Sequence, residues 1–255
     1  MTRALPRAHI HSARLVRFLS ENALLDAART SEDVGQKLGD WLDFRQAIAL
    51  HGVLHPEQPI EVATSHRAPR LGADALRQHV HKVRAALEQS IVQGAPPGSG
   101  LTPISMPAAE LDEPIEPKTA FEPYRRFQAA HQRQMETVVR TLRSQVRGQL
   151  GKSSPALQQL AALDAAFENI LSEREAALLG KVSRMLEKRF AQALKQHLKH
   201  TQATADAGVP PDSPLSWLLP MRQAIRTALL AELDTRLQPT LGLLEAFQAE
   251  NTPEP

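Results

Sequence analysis

The chain has no cysteine and few aromatic residues. The lack of cysteine excludes disulfides, thiolate metal sites and cysteine nucleophiles, and it fits a reducing cytoplasm. Aromatic side chains are only 4% of the sequence, and no segment alternates apolar and polar residues long enough to form a strand. Alanine, leucine, arginine, glutamine and glutamate dominate instead, and these residues favour helices. We therefore expect an all-α cytoplasmic protein.

Long apolar runs are also missing. No stretch approaches the roughly 20 apolar residues that span a bilayer. The first residues, Met1 to Ile10, include arginines but lack the apolar segment of a signal peptide. We therefore expect a soluble protein with no transmembrane segment.

The sequence contains a strong helical rhythm on two consecutive segments. Both apolar stripes advance in steps of three, four and four, which is about 3.67 residues per turn. Gly151 and Pro155 mark a tight break between the segments, so the pattern predicts a long antiparallel, coiled-coil-like hairpin. The first stripe is Tyr124, Phe127, His131, Met135, Val138, Leu142 and Val146, and the second is Leu160, Leu163, Phe167, Leu171, Arg174, Leu178, Val182, Met185, Arg189 and Ala193.

Prolines divide the rest of the chain into units. Residues 94–118 contain six prolines and predict an extended, flexible linker. Residues 1–93 contain three amphipathic segments, which predict a compact N-terminal helical unit. Residues 119–250 hold the hairpin and a C-terminal helical region that we expect to kink or break at Pro220 and Pro239, and residues 251–255 form a tail. The predicted fold is an elongated all-α bundle with a smaller N-terminal three-helix unit.

Motifs for bound cofactors or metals are incomplete. The segment from Gly148 to Ser154 resembles a phosphate-binding loop but has too few residues between its glycines, and it follows a helix rather than a strand. Three histidine pairs have short spacings, yet no glutamate follows His51 as a zinc-protease motif requires. We predict no metal, no cofactor, no catalytic residue and no enzymatic activity. The histidine pairs are His51 with His55, His79 with His81, and His197 with His200.

Two polar residues, His131 and Arg174, interrupt the apolar stripes. We expect them to form a polar layer that sets the register of the hairpin, as single buried polar residues do in coiled coils. Two cations at one level require a carboxylate, for which Glu175 and Glu245 are the candidates. The alternative is a catalytic histidine, which the sequence favours less because no nucleophile or paired acid accompanies it.

A basic stripe follows at helical spacing on the second hairpin helix. Residues 119–203 carry 14 basic and 7 acidic side chains, whereas residues 204–255 carry 3 and 7. The acidic C-terminal segment is therefore a candidate to cover the stripe, and a solvated or internally paired face is the favoured interpretation. The alternative is binding to phosphates or anionic lipids, although aromatic residues typical of single-strand binding are missing. The stripe consists of Lys181, Arg184, Lys188, Lys195 and Lys199.

Several strings along the chain resemble one family. They are Ser12 to Arg17, Leu38 to Phe44 with Ala47 and Ile48, Tyr124 to Arg126, Ser154 to Leu157, and Leu230 to Asp234. Together they resemble the uncharacterised bacterial family called domain of unknown function 3348, over nearly the whole chain. The resemblance brings no activity, cofactor or site residue. Members of the family are often encoded near membrane proteins that resemble proton-channel motor subunits and outer-membrane-protein-A-like proteins, which implies an accessory role there.

From these observations we expect a non-enzymatic, cytoplasmic helical scaffold or adaptor that binds other proteins. The resemblance adds a membrane motor-like, proton-channel-type assembly as an expected partner complex. The alternative function is a nucleic-acid or anionic-surface binder that uses the stripe from Lys181 to Lys199. The sequence predicts neither the identity of the partner nor the oligomeric state.

Overall fold

Every regular element in the described part of the chain is a helix. The computed structural model describes residues 14–21, 39–55, 71–108, 115–116, 119–206 and 215–251. Residues 39–41 are also helical. The helices are α1 (Arg14–Glu21), α2 (Phe44–Leu54), α3 (Ala73–Val92), α4 (Glu122–Leu150), α5 (Pro155–Asp206) and α6 (Leu215–Asn251). The all-α prediction is confirmed.

Local side-chain chemistry sets several helix ends. Helix α2 begins after Asp43, whose carboxylate accepts a hydrogen bond from the Gln46 backbone at 2.8 Å, and the Gln46 side chain accepts one from the Asp43 backbone at 3.0 Å. This reciprocal capping box satisfies two backbone donors. Helix α5 begins at Pro155, and the Ser154 hydroxyl before it accepts a hydrogen bond from the Leu157 backbone at 3.3 Å. The hairpin turn therefore falls at the predicted break.

Helices α4 and α5 form an antiparallel hairpin. Arg143, near the end of α4, contacts Asp164 near the start of α5. Arg125, near the start of α4, contacts Glu187 in the second half of α5. The two ion pairs occur in opposite order along the two helices, which fixes their relative direction.

Helices α6 and α3 complete the bundle. Trp217 at the start of α6 stacks on His197 near the end of α5, with 5.5 Å between the ring centroids, so these helices are antiparallel. Helix α3 packs on both α6 and α4. The shared interior is made mainly of leucine, with a cluster of aromatic rings at the end away from the hairpin turn. Its largest fully buried side chains are Tyr124, Phe190, Phe247, Leu76, Leu87, Met135, Leu142, Leu150, Leu186, Leu194, Leu218 and Ile225.

The N-terminal helices α1, α2 and α3 pack on the long helices of the bundle rather than on one another. Helix α1 packs on α6 and buries Phe18, α2 packs on α5, and α3 packs on α6 and α4. Among the described residues, these three helices make no substantial contact with one another. The contacts therefore differ from the expected self-contained N-terminal unit. The physical reason is that α1 and α3 each bury apolar side chains against a longer helix of the bundle, whereas α2 lies on α5 without a buried residue.

The proline-rich segment lies against the bundle rather than apart from it. We call residues 94–108 the strap. Gly94, which follows the end of α3, has a φ of 106°, a conformation that favours glycine. Leu101, Ile104 and Met106 pack against the core. The expected flexible linker is therefore wrong for the strap, because its apolar side chains find a binding surface; residues 109–114, 117 and 118 lie outside the described residues.

The core-facing side of α5 is shifted from the predicted stripe. Leu179 is buried, whereas Leu178 is 51% exposed. Further along, Phe190 and Leu194 are buried where the stripe predicted their neighbours Arg189 and Ala193. Helix α6 continues through Pro220 and Pro239, so the chain does not break at either proline.

Candidate functional site

The five cations of the predicted stripe lie on the exposed side of α5. We call Lys181, Arg184, Lys188, Lys195 and Lys199 the basic face. All five are exposed. At 100° and 1.5 Å per residue they fall within about 60° of the helix circumference over about 27 Å of its length. They therefore form one straight line of positive charge.

The opposite side of α5 explains why the basic face points outward. Val182, Leu186, Phe190 and Leu194 alternate with the cations and are all buried. Phe190 lies in an aromatic cluster, with its ring centroid 5.3 Å from that of Trp217. The apolar side thus anchors the helix, and the lysine side chains extend into solvent.

No described acidic residue neutralises the basic face. Among the residues that the structure describes, no hydrogen bond or ion pair joins any of its five cations to another side chain. Glu187 lies beside them in sequence but pairs with Arg125 on α4. Two acidic side chains of α6 also have other partners: Asp234 pairs with Arg14 and Arg84, and Glu232 pairs with Arg236. The prediction that the C-terminal segment covers the stripe is therefore not supported by the described contacts.

Arg174 does not lie in the interior layer where we expected it. It is exposed, and its guanidinium donates a hydrogen bond to the Trp41 carbonyl at 2.8 Å. The same guanidinium lies over the Trp41 ring, 5.5 Å from the centroid. Arg174 therefore fastens residue 41, just before α2, to α5, because the rotation of α5 turns position 174 away from the core.

The two candidate carboxylates are also separate from Arg174. Glu175 pairs with Arg236 of α6 at 3.6 Å. Glu245 is exposed and lies nine positions beyond Arg236, about 13 Å further along α6. The structure thus does not bring His131, Arg174, Glu175 and Glu245 together, and the predicted four-residue layer is wrong.

His131 is buried in the bundle. It is 1% exposed, and its ring contacts the edge of Phe127 with 4.6 Å between centroids. Its Nε2 has no hydrogen-bond partner among the described residues. Burial lowers the pKa of His131 to about 4, because the charged imidazolium is poorly solvated there. The residue is therefore neutral at physiological pH.

The strongest ion-pair network was missed by the sequence analysis. Asp164 accepts hydrogen bonds from Arg143 at 2.6 and 2.9 Å and from Arg147 at 2.9 Å. Glu168 lies one turn further along α5 and pairs with Arg147 at 2.6 Å. These side chains are only 10–19% exposed. The two arginines are four residues apart on α4, and the two acids are four residues apart on α5. This spacing places each pair on one side of its helix, and the hairpin turn brings the two sides together, so the sequence pattern could have predicted the network.

Histidines and acidic groups do not assemble a metal site in the described residues. No group of three or more potential ligands occurs there. The rings of His51 and His55 contact each other at an interplanar angle of 46°, with centroids 4.8 Å apart, and His79 hydrogen-bonds with Gln145 at 3.0 Å. In the described parts of the chain, none of the helices combines the length and apolar character required to cross a membrane.

A family comparison covers almost the whole chain. The model of a family described as "protein of unknown function (DUF3348)" matches residues 1–249. No curated protein and no solved structure matches the chain.

Proposed function

The chain belongs to the DUF3348 family, whose description assigns no activity, and we propose from its own geometry that it is a non-enzymatic helical adaptor. In this proposal the basic face binds an acidic helical segment of a partner protein. The observation that carries the proposal is the exposure of all five cations on one side of α5 without an acidic partner among the described residues. A charged surface of this kind attracts a ligand of opposite sign.

The shape of the basic face favours a helix as the ligand. Its cations repeat at the pitch of an α-helix along one straight line. An antiparallel or parallel partner helix with acidic residues three or four positions apart repeats at the same pitch, so several pairs form in one register. The face contains no aromatic residue on which a nucleic-acid base could stack, which favours an acidic protein over a single-stranded nucleic acid.

The cellular setting is part of the same proposal. The lack of cysteine supports a cytoplasmic location. The family resemblance supports an accessory role at a membrane motor-like, proton-channel-type assembly. The buried position of His131 beside Phe127 supports a structural rather than a catalytic role for this histidine.

Charge reversal tests the proposal. The test variant combines Lys181→Glu, Lys188→Glu and Lys195→Glu. The matched control combines Arg17→Glu, Arg45→Glu and Lys82→Glu, which are exposed cations on α1, α2 and α3. Fluorescence anisotropy would measure binding to a labelled 20-residue helical peptide with glutamate at every third and fourth position, at low and high salt.

We expect the wild-type chain to bind the acidic peptide and salt to weaken the binding. Each lysine near an anionic surface contributes roughly 1 kcal/mol, so the test variant should bind at least tenfold more weakly, whereas the control should retain more of the wild-type affinity. Equal loss in both variants would show that only net charge matters. Stronger binding of the basic face to a mixed-sequence duplex or to phosphatidylglycerol vesicles than to the peptide would assign it to a polyanion or a membrane surface instead.

A further inference from the structure

A cavity lies where the strap crosses the end of α3. It has a volume of about 180 Å³, opens partly to solvent, and is bordered by α3, the strap, α4 and α6. Its wall combines apolar side chains with polar groups in nearly equal measure. The lining residues that matter for the argument are Ser90, Ile91, Ile104, Met106, Phe127 and Arg226.

Two polar groups at this cavity lack protein partners. Ser90 is 1% exposed, and its hydroxyl has no hydrogen-bond partner among the described residues. The Nε of Arg226 is buried and is likewise without a partner there. Buried polar groups are almost always hydrogen-bonded, and leaving one unpaired destabilises the fold. Both groups are therefore available to a molecule in the cavity.

The charge of the lining selects the kind of molecule. Arg226 is the one charged residue in the described wall, and no ion pair joins it to another described residue. Arg226 is partly buried, and a guanidinium binds a carboxylate through parallel hydrogen bonds. A singly charged ligand matches one arginine, whereas a dianion would bring a second negative charge that no other cation in the described wall compensates.

The volume of the cavity and its apolar side chains indicate the uncharged part of the ligand. A cavity of about 150 Å³ in another protein holds a benzene molecule, so this one has room for about six or seven non-hydrogen atoms. Ile91, Ile104, Met106 and Phe127 favour an aliphatic tail. We infer that this cavity is a binding site for a short aliphatic monocarboxylate, held by Arg226 and Ser90 with its tail beneath Ile104 and Met106 of the strap.

The strap is built to cover such a site. Gly94 lines the cavity and turns the chain away from the end of α3 with its φ of 106°. Its backbone N–H donates to the Gln89 carbonyl at 3.1 Å, which ties the start of the strap to α3. The apolar residues of the strap then lie over the cavity. The site uses none of the residues of the basic face and is independent of the proposed function.

The test is a titration of the full chain with acetate, butyrate and hexanoate, followed by backbone amide chemical shifts. We expect saturable binding of at least one acid, with shifts concentrated at residues 90–94 and 104–106. Butyramide and butanol, which match butyrate in size but carry no charge, should bind at least tenfold more weakly. Arg226→Gln should weaken acid binding at least tenfold and Ser90→Ala by about threefold, whereas the control Arg222→Gln, one turn away on α6 and outside the cavity lining, should leave it unchanged.

Several outcomes would overturn the inference. They are the absence of saturable binding across the three acids, equal binding of butyrate and butyramide, and shifts that localise away from the cavity. If Arg226→Gln does not fold, the comparison of butyrate with butyramide on the wild-type chain decides the question alone. Binding that survives unchanged in a folded Arg226→Gln variant also overturns it.

Discussion

The charged side chains in the two halves of α5 lie in opposite environments. In the half near the hairpin turn, Asp164 and Glu168 lie against arginines of α4, and these side chains are 10–19% exposed. In the far half, the basic face is exposed and has no acidic partner among the described residues. One continuous helix therefore carries both a sealed ion-pair network and an open line of cations.

This difference separates charges that hold the fold from charges that face solvent. Partly buried ion pairs are expensive to break because the surviving partner keeps an uncompensated charge. Exposed cations without partners cost little to change, because water solvates either side chain. The comparison predicts large stability effects near the turn and small ones on the basic face.

The largest effect is expected from Asp164→Ala. This change removes the acceptor shared by Arg143 and Arg147, although Glu168 still compensates part of their charge. The free energy of unfolding should fall by about 2–3 kcal/mol, as measured by urea denaturation. Glu136→Ala is the matched control because its pair with Arg140 is exposed, and it should cost only about 0.3–0.5 kcal/mol. Equal losses in the two variants would contradict the distinction between sealed and open charges.

A smaller effect is expected from acidification at His131. Its folded pKa of about 4 lies below its ordinary value of 6.5, so the unfolded chain binds more protons between these values. Stability from the neutral histidine is complete above about pH 6.5 and falls as the pH drops toward 4. Between pH 7 and pH 5 the loss should be about 2 kcal/mol in urea denaturation. His131→Gln should lose less over the same interval, because it cannot titrate; identical pH profiles would contradict the assignment.

A still smaller effect is expected from breaking the contact between Arg174 and Trp41. The hydrogen bond to the Trp41 carbonyl and the contact with its ring together contribute about 1.5 kcal/mol. Helix α2 has no buried residue, and in the described part of the chain the other hydrogen bond that holds it on α5 is the one from the Gln159 side chain to the Leu54 carbonyl at 3.2 Å. In Arg174→Ala the backbone amides of α2 should exchange with solvent about tenfold faster, as hydrogen–deuterium exchange would measure. The control Lys181→Ala, on the same helix, should leave this exchange unchanged. An unchanged exchange rate in Arg174→Ala would show that the contact does not hold α2 in place.

The smallest effect should have the opposite sign. Arg184 and Lys188 are like charges one turn apart on the basic face, and such pairs destabilise a helix slightly. Lys188→Gln should therefore raise the free energy of unfolding by about 0.2–0.5 kcal/mol. Arg140→Gln is the comparison variant, since it loses the pair with Glu136 and should lower stability by a similar amount. A clear loss of stability in Lys188→Gln would mean that the lysine makes a folding contact.

The hairpin was predictable, but the exact face of its long second helix was not. The break before Pro155 and the shared rhythm of the two helices placed the turn correctly. Leu178 and Leu179 are adjacent, and either one continues an apolar stripe, so pattern alone does not choose between them. The structure buries Leu179 rather than Leu178, and it buries Phe190 and Leu194 rather than Arg189 and Ala193. Val182 and Met185 of the predicted stripe are buried as well. The same rotation moved Arg174 from the expected interior to the surface.

The partners of the N-terminal helices were beyond local pattern. The sequence predicted three amphipathic segments in residues 1–93, and Leu15, Phe18 and Leu19 of the first one pack against the core. Amphipathicity shows that a helix needs a partner but does not name the partner. The exposed basic stripe was visible in sequence because its spacing is local. The cavity at Ser90 and Arg226 was not, since it depends on elements far apart in the chain.

The carboxylate of Asp234 has a consequence for how the protein is made. It accepts hydrogen bonds from Arg14 of α1, which is 220 positions earlier in the chain, and from Arg84 of α3. Ribosomes add about 5–20 residues per second, so α1 emerges about 10–40 s before its partner on α6 exists. During this interval the apolar side of α1 has no native surface to cover it. Assembly of the early helices therefore waits for the last one, and nascent chains halted before α6 should depend on chaperones.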